Sequence, residues 1–198
     1  MKKIFTIIFG ILFVLFLDLP VVNAILPPPS ADPNVKPVML KTQGVKVYIP
    51  KKDMLSATMQ HAFMDWQRHT NGKFSFEFVG TKSTANMEVI FIESGMGNIC
   101  KSGDALGCTT YAAAKTLYGN KRIVGTKIYI SVNDMHGKPM TKNEVYTIML
   151  HEIGHALGLG HSKNPKSLMY EGTNSEMAEG QEILPEDVQA LYELYGMK

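Results

Sequence analysis

His151-Glu152-Ile153-Gly154-His155 sets two imidazoles four residues apart with a carboxylate between them. On a helix, residues four apart stand one above the other on the same face, so both rings can bind one metal ion from adjacent turns. Glu152 sits one position round from His151. That is a poor place for a third ligand and a good place to hold a water on the open side of the metal. A third imidazole, His161, follows six residues after His155, beyond Gly158. Glycine adopts a left-handed backbone at low cost, so the chain can turn there and bring His161 back. Three neutral imidazoles with one open position are the donor set of a catalytic zinc, whereas structural sites are closed by four protein ligands. Such a zinc polarises a carbonyl and lowers the pKa of a bound water to about 7. Glu152 is expected to take the proton of that water and pass it to the leaving amine. Other first-row ions accept these ligands, but zinc suits an all-imidazole tetrahedral set. One catalytic zinc is expected, and calcium has no supporting motif. His61, His69 and His136 lack ligand-like spacing and read as surface or helix-end residues.

The elements that must position these groups follow from periodicity. Thr141-Lys142-Asn143-Glu144 fits a capping box, which opens the helix carrying the histidines and runs it to about Leu157, with Gly158 as the stop. Val45, Val47 and Ile49 alternate as a strand does. Asp53 is expected to cap a helix whose apolar stripe is Leu55, Met59, Ala62, Phe63 and Trp66, ended by Asn71-Gly72. Phe74, Phe76 and Phe78 alternate as a half-buried strand. Met87 to Ile92 is apolar on both faces and reads as a central strand. Gly95 to Gly107 reads as loop, and Thr109–Ala114 and Arg122–Ser131 as two strands about a Tyr118-Gly119-Asn120 turn. A last helix opens with Pro185 and two acids and ends near Tyr195-Gly196. The order is β-α-β-β-β-β-α-loop-α.

A chain of 198 residues with a net charge of +2 is long enough for one compact domain. Loss of Lys2, Lys3 and Asp18 with residues 1–24 leaves +1, and no stretch concentrates Lys and Arg among aromatics. Neither a nucleic-acid partner nor an electrostatic membrane anchor is expected, and a monomer is. Residues 1–24 read as a signal peptide: Lys2-Lys3, an apolar run from Ile4 to Leu17, Pro20, then Val22-Asn23-Ala24. The alternative is a retained anchor, but the run is short of the roughly 20 residues that span a bilayer. Cleavage after Ala24 is expected, leaving no stable membrane anchor and a secreted, periplasmic or extracellular protein. Residues 25–37 carry five prolines and read as an extended linker or tail. The domain is assigned to 38–198. In an oxidising compartment Cys100 and Cys108 are expected to pair across a short glycine-containing loop.

HEIGHALGLGH matches HExxHxxGxxH, the long zinc motif of the metzincins, and Ser167-Leu168-Met169-Tyr170 resembles their Met-turn. His161-Ser162, Leu168-Met169-Tyr170 and the run from Leu184 to Gly196 are most similar to the matrixins, the catalytic domains of matrix metalloproteinases. The resemblance covers roughly Val45 to Gly196 and is motif-specific in the last third. It implies an α+β domain with a five-stranded mixed twisted sheet, three helices and a zinc cleft beside an edge strand. It implies a zinc metalloendopeptidase acting on protein or peptide substrates, with Met169 as an apolar floor beneath the metal. The edge strand, with Thr109, Thr110 and Tyr111, would take an extended substrate by strand addition, and Thr147 and Tyr170 would line the pocket past the scissile bond. There are departures from the family. No cysteine precedes Cys100, so the usual propeptide cysteine has no counterpart. Residues 94–122 hold no histidine for a second, structural zinc. Glu171 stands where proline is usual, and Glu176 lies near the same rim. Asp32 in the proline-rich tail is a candidate latency carboxylate, though a solvated linker acid is the plainer reading. Two other functions use the same ligands: a non-catalytic zinc-holding protein, against which Glu152 argues, and a hydrolase of non-peptide amides or esters.

Overall fold

The structure, a computed structural model, describes residues 41–93, 96, 99–100, 105–115, 121–170 and 181–197. The expected signal peptide and proline-rich tail with Asp32, the 118–120 turn, and Glu171 and Glu176 lie outside the described residues. Among the described residues, no helix is long and apolar enough to cross a membrane.

Five strands form one mixed sheet: β1 (Val45–Tyr48), β2 (Phe76–Val79), β3 (Met87–Ile92), β4 (Gly107–Lys115) and β5 (Lys121–Ser131), in the order β2-β1-β3-β5-β4. Neighbours β2, β1, β3 and β5 are parallel, while β4 runs antiparallel to β5 along the sheet's edge. Parallel neighbours need long crossovers, and helix α1 (Asp53–His69) supplies the one between β1 and β2. The short link between β4 and β5 permits the antiparallel pairing. β3 lies inside the sheet, between β1 and β5, and buries Met87 and Val89.

Helices α1 and α2 (Lys142–Ala156) bury their apolar residues against the sheet, and α3 (Pro185–Tyr195) closes the chain. Val45, Val47, Met87, Val89, Ile128 and Ile130 face Met59, Phe63, Trp66, Ile148 and Ile153 in one core. The indole Nε1 of Trp66 donates to the carbonyl of Leu150 at 2.9 Å, which ties α1 to the histidine-bearing turn of α2. The capping box of α2 is complete: Thr141 N donates to Glu144 Oε2 at 2.6 Å, and Glu144 N to Thr141 Oγ1 at 3.2 Å.

Two local expectations are corrected. Asp53 does not cap α1; it is the first helical residue, with φ +42°, and Lys52 holds the cap position. Ser56 does the work from inside the helix, accepting from Lys52 N at 2.6 Å and donating to Pro50 O at 2.7 Å. Gly107 is not loop but the first residue of β4, paired with Ile130. Its missing side chain suggests loop in sequence, yet here it permits a close approach of strand to helix.

Candidate metal centre

Eleven residues of α2, from Val145 to Ala156, are buried, among them His151, Glu152 and His155. The helix therefore carries its polar groups into the interior, where each must find a partner. His151 Nδ1 donates to the carbonyl of Leu168 at 2.7 Å, and His155 Nδ1 donates to that of Leu159 at 2.8 Å. A carbonyl only accepts, so both rings carry their proton on Nδ1 and turn the lone pair of Nε2 to the site. Burial pushes His151 down to about 4 and His155 well below the usual histidine value, the latter also through neighbouring His151. Both rings are held neutral, the form that ligates a metal.

Gly158, at φ +109°, turns the chain out of the helix and brings the Leu159 carbonyl back over His155. The same turn returns His161, whose Nε2 lies 3.1 Å from His155 Nε2. Each of the three histidines offers a nitrogen, and these atoms lie within 4.8 Å of one another. Nitrogens about 2.0–2.1 Å from a tetrahedral zinc stand a little over 3 Å apart, so the set fits that ion. Its chemistry fits too: neutral imidazoles, two of them oriented by carbonyls on the far nitrogen.

The segment after His161 packs against α2. Met169 is buried, and a Cβ on Gly154 would collide with its sulfur and lie 3.0 Å from Trp66 Cζ2. Gly154 therefore lets Met169 press against α2 between the two helical histidines. Ser162 N donates to Met169 O at 2.6 Å, and Met169 N to Ser167 Oγ at 2.9 Å. Ser167 Oγ donates in turn to Asp187 Oδ1 at 2.6 Å, while Leu184 N donates to Asp187 Oδ2 at 2.9 Å. The first turn of α3 thus fixes the segment that orients His151.

Glu152 is buried on α2, where Thr109 of β4 meets its side chain. Burial pushes its carboxyl up to about 8, against the lowering pull of the Thr109 hydroxyl. Thr109 Oγ1 lies 2.7 Å from Glu152 Oε2 and 2.9 Å from its backbone oxygen. Tyr111 donates its phenol to the carbonyl of His155. Thr109 and Tyr111 are buried and face α2, whereas Thr110, between them, is half-buried on the opposite side of the strand. Thr147 is buried one turn before His151, and Tyr170 is half-buried and bridged to Ser162. Cys100 and Cys108 are joined by a disulfide, Cα–Cα 6.2 Å, which ties the start of β4 to the preceding loop.

Sequence reasoning passed over the Tyr111–His155 contact and the Asp187 lock, and read Gly107 as loop. Only Gly107 carried a signal, as a lone glycine beside strand-forming residues.

The sequence pattern of the family described as Matrixin matches residues 41–196. Metalloendoproteinase 1 of Glycine max is 25% identical over 146 residues, covering 73% of this chain and 47% of that protein. Macrophage metalloelastase of Oryctolagus cuniculus is 25% identical over 157 residues, covering 78% of this chain and 32% of that protein. The chain thus spans less than half the length of these relatives. Among solved structures, that of myroilysin is similar with a TM-score of 0.53 at 13% identity, over 87% of this chain and 90% of the other.

Proposed function

The chain belongs to the matrixin family, and from that premise we propose that it is an exported zinc-dependent endopeptidase that hydrolyses internal peptide bonds of unfolded or flexible proteins. One observation carries the reading: three imidazoles offer nitrogens within 4.8 Å of one another, and the helix that supplies two of them also carries a buried glutamate, Glu152, next to His151 in the chain. Folding around a metal needs only the histidines, so a retained glutamate at this position speaks for turnover.

His151, His155 and His161 would hold the ion. Bound zinc supplies polarisation of a substrate carbonyl and acidification of a water. The chain's own residues do the rest. Leu168 and Leu159 carbonyls keep the two helical imidazoles aimed. Glu152, raised by burial into the range where a carboxyl both accepts and releases a proton near neutral pH, carries the proton from water to the leaving amine nitrogen. Among the described residues β4 pairs only with β5, so its outer edge has backbone donors and acceptors for an extended peptide. Such binding reads backbone, which suits cleavage at several sites. Thr147 and Tyr170 are assigned to the pocket past the scissile bond, with room for Leu, Met or an aromatic residue. Residues 1–24 are assigned to export, with cleavage after Ala24.

The test is incubation of the purified chain with a denatured protein, with and without chelator, followed by fragment mapping. Internal cuts that stop with chelator and return with zinc are expected. Release of terminal residues only, or a requirement for Asp or Glu on the leaving side, would show the cleft assignment to be wrong.

A further inference from the structure

We propose that Thr109 is a positioning residue for Glu152, its hydroxyl holding the carboxylate in the orientation from which it acts; this rests on the reading of Glu152 as proton carrier. Three alternate positions of β4 face α2. At Gly107, an added Cβ would stand 2.6 Å from Glu152 Cγ, 2.6 Å from Oε1 and 2.7 Å from Ile148 Cγ2. At Thr109, the hydroxyl reaches Oε2 at 2.7 Å. At Tyr111, the phenol takes the carbonyl of His155.

The strand therefore shapes one compartment around the glutamate side chain. Gly107 leaves the room, Thr109 supplies a donor, and Tyr111 fixes the helix turn that carries His155. Thr109 is 5% exposed, so water does not compete for its single proton, and the two acceptors in reach both belong to Glu152: Oε2 at 2.7 Å and the backbone oxygen at 2.9 Å. A glutamate side chain without that donor has several staggered conformers open to it, and only one is aimed as here. Strand addition uses the backbone of β4, which leaves the Thr109 side chain to Glu152.

Thr109→Val keeps the shape and removes the donor, and Thr109→Ser keeps the donor. Three readouts are taken on the full chain at one pH: the ¹³C signal of the Glu152 carboxyl in zinc-free protein, assigned by its absence in Glu152→Gln; zinc content; and kcat and KM on an unfolded protein substrate. Thr109→Val is expected to move the carboxyl signal, keep wild-type zinc and KM, and lower kcat by about 10–100-fold. Thr109→Ser is expected to restore both signal and kcat. If Thr109→Val fails to fold, Thr109→Ala takes its place with the same readouts. An unchanged carboxyl signal and kcat overturn the proposal, as does a loss shared by zinc and KM that serine does not rescue. If zinc-loaded wild type cleaves nothing, the peptidase reading fails, and the carboxyl signal still decides whether Thr109 holds Glu152.

Discussion

Helix α2 carries two of the three converging imidazoles and a buried carboxylate, whereas strand β4, packed against it, brings a hydroxyl, a phenol and a missing side chain. The helix holds the groups to which the proposed reaction is assigned. The strand holds none, yet it touches the glutamate at two positions and the His155 turn at a third. The two regions also differ in reach. The helical ligands are four residues apart, while Thr109 and Glu152 are 43 apart and Tyr111 and His155 are 44 apart. Reactive groups on one helix can be specified by local spacing, but their supports come from wherever the fold delivers them.

Changing the helix should cost most. His155→Ala removes a ligand from the middle of the set. The expected outcome is loss of bound zinc by metal analysis and no detectable peptidase activity. Zinc at wild-type stoichiometry would take the metal away from α2 and break the comparison at its first term.

Changing the strand should cost activity without metal. Gly107→Ala places a methyl 2.6 Å from Glu152 Cγ and from Oε1. The side chain is displaced while the histidines stay, so kcat should fall by about 10–100-fold with zinc retained. Wild-type turnover would mean that β4 does not shape the glutamate's compartment.

The segment beneath the site should respond in stability. Asp187→Ala strips the acceptor from Ser167 Oγ and from Leu184 N, both drawn to one carboxylate. Leaving such donors unpaired costs about 1–3 kcal/mol. Chemical denaturation is expected to show that loss, with weaker zinc retention because His151 leans on Leu168.

The smallest effect belongs to the start of α2. Glu144 is held below its ordinary 4.5, chiefly by the backbone N–H of Thr141. A lowered carboxyl stabilises the fold fully above that ordinary value and loses its contribution as pH falls through the lower folded one. Glu144→Ala should cost about 0.3–1 kcal/mol near neutral pH. The gap from wild type should close in acid, and a gap that widened would contradict the capping role.

What could be read from the sequence follows the same division. The capping box at Thr141, the stop at Gly158 and the start at Pro185 are each encoded within a few residues and stand where the pattern puts them. The apolar run of β3 pointed to the sheet's interior, where the strand lies between β1 and β5 although Glu88 interrupts the run. Asp53 misled because an acid before an apolar stripe is a cap by type, and nothing local announces that Ser56 reaches back instead. Gly107 misled for the opposite reason. A glycine speaks for a turn unless one knows that a helix will lie against it. Asp187 looked like a helix-start acid, and only the packed chain shows that it also grips Ser167.

The central claim is that Glu152 is a proton carrier and not a ligand, and one measurement tests it most directly. Zinc content and cleavage of a denatured protein are compared for wild type and Glu152→Ala. One zinc per chain is expected in both, with cleavage falling by about 10²–10⁴-fold in the variant. A variant that keeps its zinc and cleaves like wild type would contradict the account.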